Sequence, residues 1–405
     1  MRVLISGASI AGPVLAYWLT RRGFDVTVVE RAPALRKTGG HAVDLFRPAM
    51  EISEQMGVID KVKGRATGTT RMILQRTNGR PPVDVDYLKL VGVISDRHVE
   101  IMRDDLSQIY YDAGRDDIEY LFGDQITAIA DDGAVDFARS AQRRYDVIVG
   151  ADGLHSGVRQ LVFGPDAGHS RFLGGYLAVL SVPKTFARDG EMTNFLDAKR
   201  WAAIYTADHL DDARAVFLFR PDAPLDYHHR DDARQRALLR TQFAGLNPVV
   251  DRWLGELDGP GTFYFDSITQ LEMTSWSRGR VTLVGDAGYC PGPAVGGSTS
   301  LAVLGAYVLA GELERAGGDH VAAFAAYERV MADPVRHSRA FARTVAKTLV
   351  PRSEFGVWGL VTAGRVLDTL PAGLSRAVAK LNNKGVRLYD AMGYPDYPVP
   401  ASAID

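Results

Sequence analysis

Two hydrophobic periods organise the chain, and they alternate in a definite order. Near the start Val3, Leu4 and Ile5 are apolar without interruption, the pattern of a parallel strand covered on both faces. The run breaks at Gly7, and apolar positions return at helical spacing through Leu15 and Leu19, with Pro13 in the first turn and Gly23 as a C-terminal stop. Residues 25–29 predict a second apolar strand. Parts of this order recur at 145–153, YDVIVGADG, and at 281–297, VTLVGDAGYCPGPAVGG, which leads into the helical LAVLGAYVLAGELERA. Met102-Arg-Asp-Asp-Leu106 opens another helix, with acids in its first turn.

The segments between these units have a different character. Residues 70–75 and 83–87 flank Asn78-Gly79 and predict a hairpin. From 172 to 221 the period is that of strands, at 176–182, 192–196, 201–206 and 215–219. Residues 229–258 read as helical, 262–271 return to strand, and 320–348 and 354–384 read as amphipathic helices. No internal repeat or low-complexity tract is visible. The expected fold class is α/β: a Rossmann-type unit with an inserted mixed β-sheet domain and C-terminal helices.

The breaks in the apolar runs carry the candidate chemistry. Gly7-Ala8-Ser9-Ile10-Ala11-Gly12 matches G-x-G-x-x-G except that Ser9 replaces the middle glycine. A strand, a glycine turn and a helix N-terminus present free N–H groups and the positive end of a dipole to an anion such as a diphosphate. Glu30 follows the second strand, eighteen residues after Gly12, where an acid can accept both hydroxyls of an adenosine ribose. Asp286, after Gly285, supplies a second acid at a similar junction, and Arg103 sits at a helix entry suited to an anion.

Composition excludes several classes. With 47 basic and 49 acidic residues, nothing points to a nucleic-acid partner. One cysteine, Cys290, rules out an intrachain disulfide framework and fits a reducing, cytoplasmic setting. No apolar stretch reaches about 18 residues, so no membrane insertion is expected. His228-His229 has no carboxylate or third ligand at suitable spacing, and no metal site is expected.

The motifs together resemble the para-hydroxybenzoate-hydroxylase-like, single-component FAD monooxygenases. The resemblance rests on GASIAG with Glu30, on Gly150-Ala-Asp-Gly153 with Ser156 and Arg159, and on Gly285-Asp286 with the Pro293…Gly296 loop, in the family's order. It covers residues 1 to about 345, and the chain's size is similar to that of tetracycline-inactivating and polyketide-tailoring members. It implies an FAD-binding domain in three parts (1–69, 98–171, 267–345), a substrate domain in two (70–97, 172–266) and a C-terminal helical region (346–405). By this resemblance Gly7, Gly12 and the backbone of Ser9, Ile10 and Ala11 face the FAD diphosphate, Glu30 the ribose, and Arg31 the adenine. Arg103 reaches the ribityl or phosphate region, backbone at Ile126 contacts adenine, and Asp152 belongs to a motif serving FAD and NAD(P)H. Asp286 accepts from the ribityl chain, and amides of Gly296, Gly297 and Ser298 face the pyrimidine end of the flavin.

The implied reaction uses non-covalent FAD, NADPH or NADH, and O2 to hydroxylate an aromatic or polyketide-like small molecule through a flavin C4a-hydroperoxide, in a monomer or homodimer. Two departures concern the ring contacts: Gly288-Tyr289 stands where the family often has Ala-His, and Ser298-Thr299-Ser300 replaces a G-x-N element. No catalytic acid or base can be named. His41 and Asp44 lie where the family brings a loop near the flavin, and Tyr289 and Cys290 border the same pocket with packing roles. Phe195, Trp201, Tyr205, Phe217 and Phe219 are candidates for sheet core or for an aromatic pocket. An FAD-dependent reductase of the geranylgeranyl-reductase type and a flavin-binding sensor remain alternatives; a halogenase lacks its W-x-W-x-I-P element here.

Overall fold

The apolar run at residues 3–5 becomes the strand Arg2–Ser6, and Val3, Leu4 and Ile5 are completely buried because both faces of the strand are covered. The computed structural model describes residues 1–35, 40–77, 79–92, 97–294, 297–369 and 392–398. Among them, Arg2–Ser6 lies inside a six-stranded sheet ordered Ser277–Arg278, Val281–Leu283, Val147–Gly150, Arg2–Ser6, Asp25–Glu30, Glu119–Phe122. The pairings are parallel except at the Ser277–Arg278 edge. The helix Ala11–Thr20 returns the chain between the first two strands and ends near Gly23, which takes φ +77° and donates its N–H to the Thr20 carbonyl at 3.0 Å. The helix Ser298–Arg315 is buried on almost every side, and it packs between that first helix and the long helix His320–Thr348.

The strand-rich half forms a seven-stranded sheet built around the 14-residue strand Ser170–Pro183, which pairs with Asp212–Phe219 on one side and Phe263–Leu271 on the other. Strand alternation gives this sheet two different faces. Phe195, Phe217, Phe219 and Phe265 pack with Trp253 and Phe243 of the covering helices. The opposite face carries Leu177, Val179, Trp201, Val216, Leu218, Tyr264 and Ile268, against Ala342, Ala346 and Val350 at the end of the long helix. The expected hairpin is present as Arg71–Arg76 paired with Val83–Asp86, although Asn78 of its turn lies outside the described residues.

One sequence expectation needs correction, and two groups of short strands are added to the reading. Residues 229–258 are two helices, Asp232–Phe243 and Pro248–Gly255, because Gly245 takes φ +73° and Asn247 starts a new helix by accepting the Val249 N–H at 2.8 Å. Ile126 opens a separate three-stranded sheet, Ile126–Ile129 with Ala134–Phe137 and Arg143–Arg144. The short strands Ala42–Leu45 and Val99–Met102 form an antiparallel pair that the reading lacked; four residues of mixed polarity are too few to display a period. The last amphipathic helix is described over Glu354–Thr369, and 370–384 lie outside the described residues. No helix among the described residues is long and apolar enough to cross a membrane.

Late in the sequence, Tyr397 returns to the first sheet. Its ring fills the space over Gly311, where a Cβ would come within 2.2 Å of it, and its hydroxyl donates to Glu312 Oε1 at 2.6 Å. Its carbonyl accepts from Arg22 Nη2 at 2.7 Å, which ties this segment to the end of the first helix.

The tightest backbone contact in the first unit generates a prediction. A Cβ on Gly12 would sit 1.9 Å from the Gly7 carbonyl oxygen, whereas one on Gly23 would meet nothing within 4 Å. Gly12→Ala should therefore cost more than about 3 kcal/mol, and Gly23→Ala only about 1–2 kcal/mol from its left-handed conformation. Urea midpoints of the two variants measure this, and equal midpoints would contradict the packing described.

Candidate functional site

Three glycine turns meet at one edge of the parallel sheet, and close backbone contacts hold them there. Gly7 has φ +108°, and a Cβ on it would lie 2.5 Å from the Ala151 carbonyl oxygen, so the first turn touches the 150–153 turn. Gly285 has φ +67°, and its Cβ would meet that of Ala11 at 3.4 Å, so the third turn touches the first. Arg159 joins the second to the third: completely buried, it donates to the carbonyls of Ala287 at 2.7 Å and Leu154 at 2.5 Å and pairs with Asp166 at 2.7 Å. Its cost of burial is offset because every edge of the guanidinium has an acceptor.

The helix Ala11–Thr20 starts from Ile10 without a side-chain cap, so no side chain takes the N–H groups of its first turn. Arg103 opens the helix Arg103–Asp112 and donates from Nη2 to Ser9 Oγ at 3.1 Å. Ser107, one turn on, donates to the Ser9 carbonyl at 3.0 Å. An uncapped helix start with a guanidinium held above it fits a diphosphate.

Glu30 is tethered by both carboxylate oxygens, which accept the N–H groups of Ala8 at 2.9 Å and Ala32 at 2.8 Å. The Asp124 N–H donates to the Glu30 carbonyl at 3.1 Å and brings the stretch before Ile126 alongside; Arg31 is exposed on this edge. Asp152 accepts from Ser156 Oγ at 2.5 Å and from the Val158 N–H at 3.2 Å; burial raises its pKa above the usual carboxylate range against those two bonds. Asp286 begins the short helix Asp286–Tyr289. Burial raises it too, opposed by a hydrogen bond from the Cys290 thiol and the charge of Arg103. The same burial pushes the Cys290 thiol far up, so it stays neutral. Gly297, at φ +80°, precedes the helix Ser298–Arg315, which also starts without a side-chain cap; Gly296 lies outside the described residues.

Segment 40–42 joins this edge to the second sheet. Gly40 donates its N–H to Asp104 at 2.7 Å, and its carbonyl accepts from Arg214 Nε at 3.1 Å. The Ala42 N–H donates to the Tyr205 hydroxyl at 2.7 Å, and the His41 carbonyl accepts the Arg103 N–H at 3.1 Å. His41 therefore lies between Arg103 and Tyr264, whose ring centroid is 6.2 Å from its own. Asp44 Oδ1 accepts from His98 Nε2 at 2.6 Å and stands opposite Glu100 across the strand pair.

Of the five sheet aromatics, Phe195, Phe217 and Phe219 face away from this region, while Trp201 and Tyr205 face it. Tyr289 is a packing residue: its hydroxyl accepts from Tyr327 at 3.0 Å and fills the space over Gly305. His229 stacks on both His228 and His155, and His155 bonds Asp266 at 2.8 Å. Among the described residues no cluster could hold a metal ion. Sequence reasoning missed Arg214, Asp104 and the pair Tyr264 and Asp266. Arg214 had a readable signal, a lone guanidinium on a strand that after Asp212, its ion-pair partner, is otherwise made of Ala, Val, Leu and Phe.

Burial and the charge of Arg103 push His41 down to about 4, with Asp44 opposing. The folded value lies below the ordinary 6.5, so stability from neutral His41 is complete above 6.5 and is lost as the pH falls through about 4. His41→Gln should flatten the stability profile over that window, and the His41 imidazole should titrate near 4 by NMR. Titration at the ordinary value would contradict its placement beside Arg103.

A family model described as an FAD binding domain matches residues 1–319. A flavin-dependent monooxygenase of Legionella longbeachae serogroup 1 (strain NSW150) is 32% identical over 365 residues, covering 87% of this chain and 91% of its own. The flavin-dependent monooxygenase eupH of Phoma sp is 31% identical over 429 residues, with 98% of each chain covered. The crystal structure of tetracycline destructase Tet(55) superposes with a TM-score of 0.81 at 33% identity, covering 98% of both chains. The chain thus belongs to the FAD-binding, para-hydroxybenzoate-hydroxylase-like family and is a flavin-dependent monooxygenase.

Proposed function

We propose that this monooxygenase draws its electrons from NADPH or NADH and hydroxylates an aromatic or polyketide-like small molecule. The observation that carries the reading is the sheet face opposite segment 40–42. Cross-strand register lays Trp201, Leu218 and Leu177 in one row and Ala203, Val216 and Val179 in the next. Tyr205 and Arg214 pair at the following position, so a flat apolar wall ends in a hydroxyl and a guanidinium. Such a wall suits a planar ring system with a polar or anionic edge. The likeness to tetracycline destructases supports a polycyclic acceptor.

Bound FAD supplies the electron-accepting and oxygen-transferring chemistry. In this reading Gly7, Gly12, the amides of Ser9–Ala11 and Arg103 hold its diphosphate, and Glu30 holds the ribose. Arg31 and backbone at Ile126 border the adenine, and Asp286 accepts from the ribityl hydroxyls. Asp152, fixed by Ser156 and Val158, steadies the turn beneath. The amides of Gly297 and Ser298 would face the pyrimidine end of the bound flavin and favour negative charge there. The apolar wall keeps water from the reacting atoms.

Glu30 separates cofactor binding from folding. Glu30→Ala removes the acceptor of two backbone N–H groups and should cost about 1–3 kcal/mol of stability. Glu30→Gln keeps one acceptor oxygen and should cost less, yet both variants should raise the Kd for FAD by about tenfold or more. Unchanged FAD affinity in a folded Glu30→Gln protein would remove the ribose assignment.

The reaction itself is tested with labelled oxygen gas. NADPH oxidation should be slow alone and faster with a phenolic or polycyclic acceptor, and the product should carry one labelled oxygen atom. Failure of every such acceptor to accelerate NADPH or NADH oxidation would overturn the proposed reductant or substrate class.

A further inference from the structure

Behind the Cys290–Pro291 turn lies a cavity of about 380 Å³ whose lining includes Glu272, Trp276, Glu328, Arg336, Arg339 and Arg343. We propose that this cavity binds the phosphate group of a small molecule, with Arg339 and Trp276 as its donors.

Three N–H groups carry the inference. Nε and Nη2 of Arg339 and Nε1 of Trp276 are buried, and none has an acceptor among the described residues. Trp276 is only 6% exposed, so its indole N–H is beyond the reach of bulk water. A buried donor without an acceptor costs about 1–3 kcal/mol, more when charged, and Trp276 and Arg339 both line the cavity, so an acceptor bound there that their side chains turn to meet would satisfy all three. Nε and Nη2 form one edge of the guanidinium, the edge that grips two oxygens of an oxyanion at once.

The neighbouring charges explain why the acceptor must come from outside. Glu328 is already held by Ser275 Oγ at 2.9 Å and by the Trp276 backbone N–H at 2.7 Å. Glu272 pairs with Arg171 at 3.4 Å and approaches Arg343 at 3.9 Å. Arg336 pairs with Asp333 at 2.9 Å on its own helix. Arg339 stands between these arginines without a carboxylate at ion-pair distance; burial lowers its pKa, with the more distant charge of Glu272 opposing. A tetrahedral oxyanion accepts from a guanidinium edge and an indole N–H together, and the flanking Arg336 and Arg343 favour the higher charge of a phosphate over a carboxylate.

The cavity is also coupled to the flavin side. Gln270 is completely buried, and its amide nitrogen donates to the Arg339 carbonyl at 3.0 Å and the Pro291 carbonyl at 2.9 Å. The Leu271 N–H holds the Cys290 carbonyl at 2.9 Å. A ligand on Arg339 thus touches a helix whose backbone shares one amide with the loop leading to Gly297.

The test uses the FAD-loaded full chain, with pyrophosphate and 2′,5′-ADP as probes followed by calorimetry. The wild type should bind at least one probe saturably at about 1 mM or below. Arg339→Met should weaken that binding about tenfold or more with FAD content unchanged, and Trp276→Phe should weaken it less. As a measurement that needs no variant to fold well, the Trp276 indole N–H resonance of Trp-labelled wild type should shift on addition of pyrophosphate. Competition between 2′,5′-ADP and NADPH would identify the nicotinamide coenzyme as the source of the phosphate; binding without competition would identify a separate phosphate-bearing metabolite. Absence of saturable binding by either probe, or equal binding by Arg339→Met, would overturn the proposal.

Discussion

The site depends on how closely the Gly7 carbonyl lies against the Cα of Gly12. That contact leaves no room for a side chain and sets the angle at which the first helix leaves the sheet. The Gly7 N–H donates to the Val29 carbonyl at 2.8 Å, so the turn also closes over the neighbouring strand. Ala8 is thereby placed to donate to Glu30, Ala11 to touch Gly285, and Ser9 to meet Arg103. One steric constraint on six residues positions groups from three distant parts of the sequence. The glycines answer to backbone packing as much as to the ligand, and this is why Ser9 can replace the middle glycine: its side chain turns toward Arg103 without obstructing the contact.

Charge at this edge is arranged by burial more than by pairing. Asp104, Asp152 and Asp286 all sit above the usual carboxylate range because they are taken from water, and each is partly restored by donors from backbone, hydroxyl or thiol. Arg103 faces this acidic surround from a helix start and contacts a neutral hydroxyl. His41 is held neutral by burial, with the same guanidinium adding to it. The result is a cation with few strong local partners, free to compensate an incoming anion, and acids able to accept from hydroxyls without a large repulsive field.

The parallel unit was legible in the sequence because fully covered strands have no alternation to disguise, and glycine turns leave a fixed spacing. The second sheet was legible as strands, since alternation such as Ala-Arg-Ala-Val-Phe-Leu-Phe marks two unlike faces, but which face carried the pocket was not. That depends on register and on Gly40 and Ala42 reaching Arg214 and Tyr205 across more than 160 residues of sequence. Phe217 and Val216 differ in role because the two faces meet different partners, Phe243 and Trp253 on one side and the end of the long helix on the other. The four-residue strands at 42–45 and 99–102 were invisible for a related reason: they are stabilised by what they join, not by a period of their own. Arg339 and Trp276 were equally silent, because an unpaired donor is a property of neighbours.

Tyr397 has a consequence for the order in which the molecule is completed. The sheet's first helix receives a bond from Arg22 to a carbonyl 375 residues further along the chain, and the space over Gly311 is filled only when the same tyrosine arrives. During synthesis from the N-terminus the early strands can pair and the glycine turn can form, yet the central helix keeps an open groove until residue 397 has left the ribosome. Final consolidation of the nucleotide-binding unit therefore waits for that residue, and a nascent chain stalled before it would present a folded sheet with an unsealed back.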